Sequence, residues 1–155
     1  MKKAFSILMA LVLVLSLSVT AFAAEETGSI TITNATIDHT YSLYKIFDAT
    51  YGDDANGDDK PDAVSYTITT TNQFFSYLFG ADGKTANPYF TYTPIDANHG
   101  SVERIKDTDS TAIISYLEEM IDNGSYTVVE TIKAESKTVK FEDLPYGYYL
   151  IDKGN

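Results

Sequence analysis

Lys45 is the residue whose setting first suggests chemistry. It lies in the run Tyr41-Ser42-Leu43-Tyr44-Lys45-Ile46-Phe47-Asp48-Ala49, whose aromatic and aliphatic content favours a β-strand. Strand alternation puts Tyr41, Leu43, Lys45 and Phe47 on one face, and Ser42, Tyr44, Ile46 and Asp48 on the other. The first face is the more apolar, which would turn Lys45 inward. A lysine taken out of water loses hydration, so its neutral amine gains population and becomes a nucleophile. The alternative is a lysine that packs its stem and carries its charge to the sheet edge.

A second constellation is the acidic stretch Asp53-Asp54-Ala55-Asn56-Gly57-Asp58-Asp59-Lys60-Pro61-Asp62. Counted from Asp54, the side chains of Asp54, Asn56, Asp58 and Asp62 present oxygens at positions 1, 3, 5 and 9. Alternate residues of a tight loop can converge on calcium, which takes about six to eight oxygens. The spacing resembles dockerin-type and thrombospondin-type calcium loops. It departs from a complete EF-hand loop: Asp59 stands where the turn glycine belongs, and Ser65 cannot supply the closing bidentate carboxylate. An acidic, solvated turn between two strands is the alternative.

His39 and His99 are single histidines in polar turns, without metal-ligand spacing. The chain has no cysteine, which excludes thiol catalysis and disulfide staples alike. No nucleophile elbow, zinc-helix motif or phosphate-cradling glycine loop occurs. Nothing here points to an enzyme.

The elements that must position these groups are short strands. Ser29–Thr33 alternates threonine and isoleucine, so Ile30 and Ile32 share a face. Tyr41–Asp48 is the second strand and Val64–Thr70 the third. Asn72–Phe79 reads as a short helix ended by Gly80. Tyr89–Thr93 and Ser101–Ile105 are weaker strands. Ser110–Asp122 is the clearest helix, capped by Asp109 or Ser110, with Ile113, Ile114, Leu117 and Ile121 on one stripe and Gly124 as a left-handed stop. Tyr126–Lys133 and Lys137–Phe141 flank a turn, and Tyr148–Asp152 is the last strand. This pattern predicts a mainly β protein, a β-sandwich with two short inserted helices covering an edge or an end of the sheets.

The N-terminal 23 residues read as a cleaved secretory signal peptide. Lys2 and Lys3 form the basic start, Ile7–Val19 the apolar stretch, and Ala21-Phe22-Ala23 the cleavage site. Residues 24–155 then form one domain. The full chain's net charge of −11 disfavours nucleic acid and anionic membrane as partners, since both need clustered lysine or arginine. The 12 tyrosines suit strands with one wet and one dry face, and equally an exposed glycan-binding surface.

Two segments carry a family resemblance. Phe141-Glu142-Asp143-Leu144-Pro145-Tyr146-Gly147-Tyr148-Tyr149-Leu150-Ile151 resembles the F-x-x-L-P-x-G-x-Y-x-L strand of SpaA/Cna-B-type domains, which build Gram-positive sortase-assembled pili. Tyr41–Ala49 is similar to the Y-x-L-Y-K-x-F-D-A strand of the N-terminal domain in the same major pilins. The resemblance implies an immunoglobulin-like, Cna-B-type fold and a structural role: a secreted, cell wall-anchored shaft subunit that supports adhesion. Its partners would be other pilin subunits, a sortase and host-surface ligands. The resemblance further implies that Lys45 could form an internal Lys–Asn isopeptide crosslink, with Glu142 as the assisting acid. A polymerising lysine and an L-P-x-T-G sorting signal are expected past residue 155, with the domain truncated at its C-terminal end. A secreted adhesin or glycan-binding module using exposed tyrosines is the alternative function.

Overall fold

Runs of aromatic and β-branched residues form eight strands among the residues that the computed structural model describes, 27–52 and 63–154. In chain order they are β1 (Thr27–Ile32), β2 (Thr40–Tyr51), β3 (Val64–Thr69), β4 (Phe90–Pro94), β5 (His99–Arg104), β6 (Glu130–Lys133), β7 (Val139–Pro145) and β8 (Gly147–Lys153). Two helices interrupt them: α1 (Phe75–Phe79) between β3 and β4, and α2 (Ser110–Asn123) between β5 and β6.

The strands form two antiparallel sheets. β1 and β7 make a two-stranded sheet, and the other six make the larger one. The long strand β2 organises the larger sheet. Along Tyr41–Asp48 one of its edges pairs with β8. The opposite edge is shared by β6, at Thr40–Leu43, and β3, at Asp48–Tyr51. Asn72 bridges the gap between those two strands, donating from Nδ2 to the Ile46 carbonyl at 3.4 Å.

β2 is buried on both faces, and each face has its own core. Tyr41 and Leu43 pack with Val139, Phe141 and Leu144 of β7, against Ile30 and Ile32 of β1. This smaller core joins the two sheets. Tyr44, Ile46 and Phe47 face the other way, into a larger core with Phe74, Phe75, Leu78 and Phe79 around α1 and Ile113, Leu117 and Met120 of α2. The order is therefore small sheet, large sheet, helices. The helices cover a face of the large sheet, not an edge or end as the sequence suggested. The physical reason is apolar area: Phe75, Leu78, Phe79, Leu117 and Met120 are all at most 2% exposed, and only a sheet face offers enough surface to bury them.

Strand pairing fixes a polarity. β1 begins at Thr27, opposite Pro145, and ends at Ile32, opposite Val139. β8 begins at Gly147, opposite Asp48, and ends at Lys153, opposite Tyr41. Only Tyr146 separates β7 from β8, so Thr27 and Gly147 lie at one pole and Lys153 at the other.

Several local expectations are corrected. The strand expected to end at Phe141 continues through Glu142–Leu144; Asp143 takes a φ of 53° in a bulge opposite Ser29, and so the strand runs on to Pro145. Gly124 is extended (φ −127°), not left-handed. A Cβ there would meet the Tyr126 ring at 2.2 Å, so any larger residue would require that ring to shift. Ile114 is 46% exposed, and Met120 takes its place on the buried stripe of α2. β6 is confined to Glu130–Lys133, leaving Val128 and Val129 exposed.

Candidate functional site

Lys45 sits near the middle of β2, where the ladder with β8 slips. Lys45 pairs with Tyr149 and Phe47 with Tyr148, so Ile46 is the extra residue of a bulge. The bulge breaks the expected alternation. Lys45 stays on the face of Tyr41 and Leu43, but Phe47 joins Ile46 in the larger core. There its ring meets Phe90 edge-on at 5.1 Å and Tyr148 at 5.7 Å.

The Lys45 stem lies across Gly147, and its ammonium pairs with Asp48 at 2.6 Å. The lysine side chain is 23% exposed and the aspartate 53%. The amine is thus partly solvated instead of being sealed inside, and its partner is a half-solvated carboxylate. Glu142 points away from the interior. Val139, Phe141 and Leu144 take the buried positions of β7, while Glu142 is exposed and ion-paired with Lys140. The structure does not bring Lys45 and Glu142 into contact.

The calcium candidates Asp54, Asn56, Asp58 and Asp62 lie outside the described residues, as does the signal peptide. Of the described residues flanking them, the Gly52 amide donates to Ala63 O at 2.8 Å. Among the described residues no group of three histidine, aspartate or glutamate side chains is placed to hold a metal ion. His39 donates from Nδ1 to the Gly154 carbonyl at 3.1 Å, and His99 pairs with Asp96 at 2.9 Å. The amides of Asn98 and His99 donate to Asp96 and hold its carboxyl below the usual range.

The tyrosines divide unevenly. Tyr41 and Tyr44 are buried; Tyr66, Tyr89, Tyr92, Tyr116, Tyr126 and Tyr148 pack against the larger core and Tyr149 against the smaller. Only Tyr51 and Tyr77 rank with the exposed large side chains, at 40% and 38%. They are not paired with each other: Tyr51 meets Tyr146 at 4.3 Å, and Tyr77 meets Tyr116 at 5.6 Å. A shallow groove of about 160 Å³ beside Tyr51 is lined by Gly28, Ile30, Tyr146 and Tyr149. Burial pushes the Tyr66, Tyr116, Tyr148 and Tyr149 phenols above the ordinary value. Tyr41 shifts down, because the Thr36 amide donates to its oxygen at 2.8 Å.

Sequence reasoning missed Asn87. It is 8% exposed and makes four hydrogen bonds. Nδ2 donates to Leu78 O (3.1 Å) and Tyr116 Oη (2.9 Å), while Oδ1 accepts from the Tyr89 and Phe90 amides (2.9 and 3.0 Å). One side chain thereby ties α1, α2 and the start of β4 together. The Asn87-Pro88 dipeptide marks a turn in sequence, but nothing local says that the turn is buried.

Comparison with protein-family models, with curated proteins and with solved structures finds no match for this chain.

Proposed function

We propose that this chain is the N-terminal domain of a sortase-assembled shaft pilin, an exported scaffold whose task is mechanical. The observation that carries the reading is the pairing of β2 with β8. The two segments that resemble the pilin strands are about a hundred residues apart in sequence, yet they lie side by side, with Leu43 opposite Ile151, Tyr44 opposite Leu150 and Lys45 opposite Tyr149. Each explains the other's composition, since both strands send aromatic and aliphatic side chains into two cores. The burial of most tyrosines favours this role over the adhesin alternative, which has only Tyr51 and Tyr77 as well-exposed rings to draw on.

In this reading the immunoglobulin-like, Cna-B-type sandwich is elaborated by a helical layer. A sortase would join subunits through a lysine of one and a threonine carbonyl of the next, at the cell wall. The internal crosslink through Lys45 and the calcium loop are separate proposals, each with its own test below. The proposal is tested by determining the full reading frame that encodes this domain. An L-P-x-T-G signal with further sandwich domains supports it. Fusion to an unrelated catalytic domain overturns it.

A further inference from the structure

The directions of the strands define how tension would cross this domain. β1 begins at the pole of Pro145 and Gly147, and β8 ends at the opposite pole, beside Thr40 and Tyr41. Force applied at Thr27 and Gly154 therefore pulls β1 and β8 along their own axes in opposite directions. β1 is held by β7, through five registered pairs from Thr27–Pro145 to Ile32–Val139. β7 continues through Tyr146 directly into β8. The shortest load path is thus β1, the β1–β7 ladder, the turn at Tyr146 and β8.

Behind that ladder the geometry is much weaker. The connection from β1 to β2 lies at the pole of Lys153. If β1 slides out, tension reaches the start of β2, while the other end still pulls on the end of β8. Those two points share a rung, Tyr41 opposite Lys153. The hydrogen bonds of an antiparallel pair run perpendicular to its strands, so a pair pulled apart from one end opens them one at a time, whereas a pair pulled lengthwise loads them together.

We infer that the β1–β7 ladder is a mechanical latch: it keeps the β2–β8 pair from being unzipped when the domain is stretched between its poles. The side chains fit that task. Ile30 and Ile32 of β1 pack with Val139, Phe141 and Leu144 across the smaller core, so sliding β1 by one residue would carry its apolar face into water. The latch rests on strand directions and not on the family proposal. It survives if the gene proves not to encode a pilin, and it fails on force data alone.

Single-molecule pulling tests it on the intact mature chain. The protein has no cysteine, so handles attach uniquely at introduced ones. Thr27→Cys with Gly154→Cys loads the latch; Ile37→Cys with Gly154→Cys bypasses it. Thr27 and Ile37 are exposed, and a Cβ at Gly154 meets nothing closer than Thr40 O at 3.5 Å. The latch predicts a higher unfolding force in the first geometry, because the five registered pairs of the β1–β7 ladder share the load. Thr31→Pro, which removes a backbone donor from β1, should lower the force in the first geometry and leave the second unchanged. Equal forces in the two geometries, or equal loss in both on Thr31→Pro, would overturn the inference.

Discussion

Gly147→Ala probes the point where the two central strands approach most closely. Gly147 is not among the positive-φ residues, so alanine can adopt its backbone and the objection is purely steric. A Cβ there would lie 2.7 Å from the Phe47 carbonyl oxygen, 2.6 Å from Lys45 Cε and 3.2 Å from Lys45 Cγ. The lysine stem can swing aside at the loss of its ion pair with Asp48, which is half-solvated and contributes about 0–1 kcal/mol. The Phe47 oxygen cannot move so freely, since it is held in the ladder just beyond the Ile46 bulge. Overpacking of this kind costs about 1–3 kcal/mol, and the stiffer unfolded chain returns about 0.4–1 kcal/mol. The net expectation is a loss of about 1–2 kcal/mol. With a urea m-value of about 1–3 kcal/mol/M, that lowers the unfolding midpoint by roughly 0.3–2 M. Lys45→Ala combined with Gly147→Ala should recover only part of the loss, because the carbonyl contact remains. A Gly147→Ala protein at least as stable as the parent would refute the steric account of this glycine.

Alkaline titration should expose the tyrosine burial. The phenols of Tyr44, Tyr66, Tyr116, Tyr126, Tyr148 and Tyr149 are raised, chiefly by burial. A group raised in the folded state stabilises fully below its unfolded value of about 10 and ceases to do so as pH climbs through the folded value. Stability should therefore fall above about pH 10, with much of the tyrosinate absorbance appearing only as the chain unfolds. Titration of every tyrosine at its ordinary value in a still-folded protein would contradict this. For the crosslink, Lys45 paired with Asp48 predicts an intact mass equal to that of the processed sequence; a deficit of one ammonia would show that an isopeptide forms. For the acidic loop, coordination by Asp54, Asn56, Asp58 and Asp62 predicts a higher Tm in millimolar calcium than in chelator, lost in Asp58→Asn. An unchanged Tm removes that site.

Much of the scaffold is legible in the sequence because two-sided burial leaves a mark. Leu43-Tyr44 and Ile46-Phe47 are adjacent apolar pairs, as a strand between two cores requires. Asp109 caps α2 as its position suggests, accepting from the Thr111 amide at 2.7 Å. The bulge at Ile46 left no comparable signal. One inserted residue reverses the facing of everything after it, which is why strict alternation put Phe47 beside Lys45. The same applies to Glu142: a bulge at Asp143 carries the strand past Phe141, where the sequence pattern ended it, to Pro145. The helical layer was misplaced because a helix's apolar stripe says that it must be covered, not which surface covers it. The candidate site was the least legible part, since its outcome depended on Asp48 reaching Lys45 over three residues, a contact that exists only because of the bulge.

The most direct measurement of the scaffold proposal is an immunoblot of cell-wall digests, probed with antibodies raised against residues 24–155. Covalent assembly predicts a ladder of high-mass species that survives boiling in detergent and collapses to the single subunit when the cell's sortase is deleted. One band at the subunit mass in both strains would contradict it.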